Sequence, residues 1–188
     1  MTTLDRSQKM YSAQYGNALA DHLPMTLAAL KHMGASDVRR AAYADDYVEH
    51  KRLRALDASD RELTARMAMR ARIEREGRAA VLGAELARLG QGIGAGAFHA
   101  LIRVAYGIGE DANDEIAAGL VYWHDVLLDL GLPSLPRETT RFDVGTALDR
   151  VRTTLADIAH RIADRGHISA QMQLVADDTA FDLACGHP

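Results

Sequence analysis

The clearest indication of the fold is the stretch VGTALDRVRTTLADIAHRI, residues 144–162. Its apolar side chains recur at alternating intervals of four and three residues: Val144, Leu148, Val151, Leu155, Ile158 and Ile162. That spacing places all of them on one stripe of an α-helix. Burial of such a stripe stabilises a fold by on the order of 10 kcal/mol before chain entropy is counted. The stretch therefore predicts a long helix that packs in the core or against a partner subunit.

The composition of the 188-residue chain extends the helical prediction to the rest of the sequence. Hydrophobic residues make up 48%, enough for a core, and 33 residues are alanine, the best helix former and a poor filler of sheets. Alternating runs of β-branched residues, which indicate strands, are short throughout. We therefore expect an all-α protein: a compact bundle of seven or eight helices in a single helical domain, residues 1–188.

Capping residues and glycines divide the chain into these helices. We expect the first helix at residues 4–15 and the second to begin near Asp21, whose side chain can cap it. Ser36 should cap the third helix. Gly77 decides whether the following stretch is one helix or two, and so whether the count is seven or eight. A later helix is expected at residues 97–108.

Charge and cysteine content exclude several kinds of partner and site. The net charge of -4 argues against nucleic acid, and residues 51–78 mix arginines with acidic side chains, which is typical of a solvated face. The sequence contains neither eighteen continuous apolar residues nor a signal peptide, so we expect no membrane span and a cytoplasmic location. Cys185 is the single cysteine, which excludes a disulfide framework. The glycines of residues 90–96 lack the strand that precedes a dinucleotide fingerprint.

A polar face interrupts the apolar helix expected at residues 97–108. His99, Arg103 and Tyr106 are spaced to lie on one side of that helix. Polar side chains inside an apolar helix require hydrogen-bonding partners, water or a ligand. The pattern is compatible with a buried hydrogen-bonded group and equally with a ligand site.

Two other histidines have readings that the sequence leaves open. His22 precedes Pro24 at the start of a helix, where an exposed histidine is common, and His124 lies on a stripe that faces the core. His99, the pair His124-Asp125 and a later aspartate, Asp157 or Asp178, are also similar to the ligand set of HD-type metal phosphohydrolases, which are all-helical and use a divalent metal to activate water.

Three segments together resemble one known family. The first is DHLPM, residues 21–25, followed by GAS at residues 34–36. The second is GAGAFH, residues 94–99, and the third is GLVYW, residues 119–123. In their order and spacing these segments resemble the amino-terminal half of the questin oxidase-like family.

The resemblance implies an all-helical fold and oxygenase chemistry, of the Baeyer–Villiger or ring-cleaving kind, on a polycyclic aromatic small molecule. It also implies a histidine-rich site for non-haem Fe(II), and neutral imidazoles are suitable ligands for that ion. His22 and His99 fall on the two amino-terminal histidines of the family. We take His22, His99 and His124 as candidate metal ligands, and Arg103 and Tyr106 as candidate catalytic side chains.

The chain departs from the family in two ways. Asp21 stands where the family usually has asparagine, and the histidine segments of the family's second half are missing. The chain would then be the amino-terminal part of such an enzyme, or a short relative in which a homodimer doubles the number of ligands. The alternatives are a non-catalytic helical binding or assembly module with the same fold, and the HD-type phosphohydrolase.

The stripe at residues 144–162 gives the first testable prediction. Leu155→Ala should lower the free energy of unfolding by roughly 2–5 kcal/mol, because it removes a buried side chain and leaves a cavity. Urea titration followed by circular dichroism measures this change. A loss within about 0.5 kcal/mol, the range of surface substitutions, would show that the stripe is exposed.

Overall fold

A computed structural model describes residues 11–128 and six single residues further along: Arg152, Ala156, Arg161, Gly166, Ala170 and Gln171. The stripe residues of the stretch 144–162, together with Asp157 and Asp178, lie outside the described residues. Contacts divide the chain into two compact units, residues 1–90 with 98–127, and residues 91–97 with 128–188. The α-helices, strands and sites below belong to the first unit.

The described part of the chain is mostly helical, as the composition predicts. Its six α-helices are α1 (Leu23–His32), α2 (Asp37–Lys51), α3 (Arg61–Glu76), α4 (Arg78–Leu89), α5 (His99–Gly109) and α6 (Asn113–Asp125). A 3-10 turn, Gly90–Gly92, follows α4. None of the helices in the described residues is long and apolar enough to cross a membrane.

Local signals place several helix ends where the sequence predicts them. Ser36 caps α2, since its hydroxyl accepts a hydrogen bond from the Arg39 amide at 3.3 Å. Gly77 separates α3 from α4 with a φ of 88°, a conformation that side-chain-bearing residues rarely adopt. Asp21 lies one residue before the N-cap of α1, and its carboxylate accepts a hydrogen bond from the Leu23 amide at 2.8 Å.

The helix expected at residues 4–15 is wrong for the part that the structure describes. Residues 14–20 form a hairpin of two short antiparallel strands, β1 (Gln14–Tyr15) and β2 (Leu19–Ala20). Gly16 and Ala18 have positive φ angles of 54° and 62°, which turn the chain back on itself. The Ser12 amide donates to the Arg54 carbonyl at 2.9 Å, so long-range backbone pairing replaces the local helix.

Helix α6 is at the centre of the first unit and packs against α3, α4 and α5. Every residue from position 115 to position 123 is buried. The run Ala117-Ala118-Gly119 has small side chains, which allow the neighbouring helices to approach closely. Trp123, near the end of the helix, is 1% exposed. The apolar side of α1 forms a second part of the core, where Leu23 and Leu27 pack with Ala44 and Leu53.

Two glycines determine how closely α5 and α6 pack. A Cβ atom on Gly119 would lie 2.9 Å from the Val104 amide nitrogen, and one on Gly107 would lie 2.7 Å from the Ile116 amide nitrogen. Real Cβ atoms do not come so close to backbone atoms, which cannot move without shifting a whole helix. The two helices can therefore pack in this way only with glycine at both positions.

Gly119→Ala should destabilise the protein by about 1–3 kcal/mol, the usual range for overpacking, because the added methyl group pushes α5 away from α6. Gly83→Ala is the matched control, since a Cβ at that position in α4 has no atom within 4 Å. The control should be neutral or stabilising by up to about 1 kcal/mol, because alanine favours a helix. Equal stability of the two variants in denaturant titrations would contradict the close packing.

Candidate functional site

His22 and His99 are in direct contact in the structure. Their rings meet edge to face, with the ring centroids 4.7 Å apart and the ring planes at 90°. His22 is the residue that precedes α1, and His99 is the first residue of α5. The two histidines that the resemblance assigns as candidate metal ligands therefore lie side by side, and their role as ligands stays a prediction.

Local backbone features place each ring. The His22 amide donates a hydrogen bond to the Tyr47 hydroxyl at 3.3 Å, which ties the start of α1 to α2. Phe98, just before His99, has a left-handed φ of 67°, which costs roughly 1–2 kcal/mol for a residue with a side chain. Such strained positions concentrate at functional sites. His22 is exposed and His99 is half-buried, so a ligand can reach the pair from solvent.

The pair provides two imidazole donors but not a complete metal site. Among residues 11–128 and the few described later, no group of three His, Cys, Asp or Glu side chains could hold a metal ion. Imidazole nitrogens suit iron and zinc, so the donor type fits a non-haem metal. Other ligand positions would have to be filled by water, substrate, a second copy of the chain or residues outside the described part.

A buried ionic cluster adjoins the histidine pair and consists of five side chains: Asp21, Glu62, Arg66, Arg103 and Glu115. At its centre Arg103, one turn after His99 on α5, forms a two-pronged ion pair with Glu115 on α6. The Arg103 Nε–Glu115 Oε1 distance is 2.6 Å, and the Nη2–Oε2 distance is 3.2 Å. Arg103 and Glu115 are 1% and 2% exposed, so both charges depend on each other for solvation.

Asp21 connects this cluster to the histidine pair, because it is bonded through the backbone to His22. Its Oδ1 atom accepts the Leu23 amide, but its Oδ2 atom has no hydrogen-bond partner within the described part of the chain. The Arg103 Nη1 atom is in the same situation. Burial raises the pKa of Asp21 above its usual 3.8, although the nearby Arg103 guanidinium opposes that shift.

Glu62 and Arg66, on α3, complete the cluster. Glu62 accepts hydrogen bonds from the Ser12 hydroxyl at 2.7 Å, from the Ala13 amide at 2.8 Å and from Arg66. The cluster therefore connects the hairpin segment, the start of α1, and helices α3, α5 and α6.

The candidate catalytic residues lie in different environments. Arg103 is part of the buried ion pair, whereas Tyr106 is 38% exposed. The face that the sequence places on one side of α5 is thus divided between the protein interior and the surface. For Arg103, the structure shows the buried hydrogen-bonded arrangement that the sequence left open.

His124 is not part of the His22–His99 pair. Its Nε2 atom lies 2.8 Å from the Oε2 atom of Glu85 on α4. His99 contacts His22 instead, so the structure does not bring His99 and His124 together as the HD-type pattern requires. The neighbouring Asp125 is exposed.

The acidic partners Glu62, Glu85 and Glu115 were not predicted from the sequence. Glu115 had a usable signal, because it begins α6 directly before the apolar run from Ile116 to Trp123. A carboxylate that continues a buried stripe needs a cationic partner. Glu62 stands one helical turn before Arg66, a spacing that favours an ion pair, whereas local sequence contains no comparable signal for Glu85.

The buried carboxyl of Asp21 gives a prediction about pH. Because its folded pKa is raised, its stabilising contribution is present below pH 3.8 and is lost as the pH rises through the folded pKa. The stability of the wild type relative to Asp21→Asn should therefore fall as the pH increases from about 4 to 8. Denaturant titrations at each pH measure this difference.

Asp57→Asn is the control. The stability of the wild type relative to this variant should change with pH in the opposite direction. Hydrogen bonds from Ser59 hold the pKa of the exposed Asp57 below its usual 3.8. Its contribution is present above that value and is lost as the pH falls. If both variants show the same trend with pH, the assignment of Asp21 as a destabilised buried carboxyl is wrong.

Comparison of the chain with known protein families, with curated proteins and with solved structures found no match.

Proposed function

We propose that the chain is a questin oxidase-like oxidoreductase, or the amino-terminal part of one, that binds non-haem Fe(II) through His22 and His99. Its substrate would be a polycyclic aromatic or related small molecule. The observation that carries the proposal is the contact between the two histidine rings, with centroids 4.7 Å apart.

The contact supports the proposal because the family resemblance pairs the same two residues as metal ligands. His22 and His99 belong to separate motifs, and nothing local in the sequence requires their side chains to meet. An edge-to-face ring contact without a ligand would contribute only about 0.5–1.5 kcal/mol. The exposed position of His22 also leaves the pair accessible to an ion and a substrate.

Several residues of this chain would serve the iron site. The Tyr47 hydroxyl fixes the backbone of His22, and the left-handed turn at Phe98 fixes the start of α5 below His99. Asp21 holds the first turn of α1 through the Leu23 amide, and Arg103 holds α5 to α6 through Glu115, so the backbone that carries each ring is fixed. Bound iron would supply oxygen activation for cleavage or oxygen insertion in an aromatic polyketide ring.

Metal binding tests the proposal directly. Anaerobic calorimetry with Fe(II) should show binding to the purified protein, and His22→Ala and His99→Ala should each weaken it by at least about 10–100-fold. That range is the loss seen when only an outer-shell partner of a metal ligand is removed. His50→Ala is the matched control, because His50 is an exposed histidine on α2. It should leave binding unchanged.

Two results would reject the iron site. One is a wild-type protein that binds no iron; the other is an equal loss of binding in His50→Ala. Either would favour the non-catalytic binding or assembly module, which keeps the fold without a metal. If iron binds through the two histidines, oxygen uptake in the presence of a hydroxylated polycyclic aromatic compound is the next measurement.

A further inference from the structure

A second candidate site lies away from the histidine pair, in an open cleft of about 930 Å³. The cleft is bordered by α3, by the end of α4 and by the end of α6. Its floor includes the small side chains Ala65 and Ala68 of α3, which leave space next to Val121 of α6. Charged side chains surround that floor.

Most of the charges at this cleft already have partners. Arg54 is paired with Asp60 at 2.5 Å and with Glu62 at 3.5 Å. Arg72 is paired with Glu76 at 3.0 Å and also with Glu85. Arg66 also pairs with Glu62, and Arg75 with Glu76. Four arginines thus face four carboxylates, so these groups neutralise one another and leave little attraction for a ligand.

Two arginines of the cleft have no such partner among the described residues. Within residues 11–128, neither Arg61 nor Arg88 forms an ion pair or a side-chain hydrogen bond, and the same holds for the carboxylate Asp125. The uncommitted charges are thus two guanidinium groups against one carboxylate, a net of +1 (2 − 1). A guanidinium group offers parallel N–H donors that match the oxygens of carboxylate and phosphate groups.

His124 adds an oriented polar group to the cleft wall. Glu85 is 3% exposed, and its carboxylate lies 2.8 Å from His124 Nε2. Burial raises the pKa of Glu85, but hydrogen bonds from Arg72 and His124 outweigh burial and hold the pKa below its usual range. Glu85 is therefore an ionised group that holds the His124 ring through its Nε2 atom. The Nδ1 atom remains available to a ligand.

We propose that this cleft binds a small anionic molecule, a carboxylic acid or a phosphate ester, through Arg61 and Arg88, with His124 as a further polar contact. The site is independent of the iron proposal, since it shares no residue with the His22–His99 pair. Residues 51–78, which the sequence indicates to be a solvated mixed face, thus provide one wall of a binding site. The pairing of the other charges is what leaves Arg61 and Arg88 free.

Calorimetry at low ionic strength with two probes, citrate and inorganic phosphate, tests the proposal. At least one should bind the wild-type chain, and the tighter probe identifies the ligand as a carboxylic acid or a phosphate ester. Arg61→Gln and Arg88→Gln should each weaken binding by roughly ten-fold or more, since a hydrogen bond to a charged group contributes about 1.5–3 kcal/mol.

Arg39→Gln is the matched control, because it removes the same charge from an exposed position on α2 away from the cleft. It should change binding by less than about two-fold if the attraction is local. Circular dichroism would verify that all three variants fold. The proposal is overturned if neither probe binds, if Arg61→Gln and Arg88→Gln bind as the wild type does, or if Arg39→Gln weakens binding equally.

Discussion

The ion pair between Arg103 and Glu115 is the constraint on which the arrangement of the helices depends. Both side chains are almost completely buried, so neither charge could remain inside without the other. Their two-pronged contact is satisfied only when α5 and α6 hold one register. Gly107 and Gly119 permit the close approach that this register requires. A hydrophobic pair could be as stable, but it would tolerate sliding of one helix along the other.

The Arg103–Glu115 ion pair also lies close to the two histidines in the chain and in the fold. Arg103 follows His99 by one helical turn, and Asp21 precedes His22 by one residue. The Arg103 charge acts on the carboxyl of Asp21, and helices α1 and α5 are in contact, so the ends that carry the two rings lie close together. Within the described part of the chain, Oδ2 of Asp21 and Nη1 of Arg103 have no hydrogen-bond partner. By contrast, the cleft that contains Arg61 and Arg88 is formed by α3, α4 and the end of α6.

Local chemistry explains which parts of the structure could be predicted from the sequence. Ser36 and Gly77 affect only the backbone next to them. The helix ends at these two residues could therefore be predicted. The hairpin was not, because residues 11–20 depend on backbone partners such as Arg54 and Ala55 that are distant in the sequence. The meeting of His22 and His99 was predicted only through family resemblance, since periodicity alone relates residues within one helix. Glu85 was missed because its partners Arg72 and His124 lie on other helices. The contacts of Glu62 with Ser12 and Ala13 were missed because those two residues are distant in the sequence.

The central position of α6 has a practical consequence for spectroscopy. Trp123 is the single tryptophan of the chain and is 1% exposed, at the end of the helix that carries Glu115 and Gly119. Its fluorescence therefore reports the environment of one helix rather than an average over the molecule. Selective excitation of that indole follows the docking of α6 during folding without any added label, while circular dichroism records the helices as a whole. If fluorescence and circular dichroism change at different denaturant concentrations, the packing around Trp123 loosens in a step separate from the loss of helix.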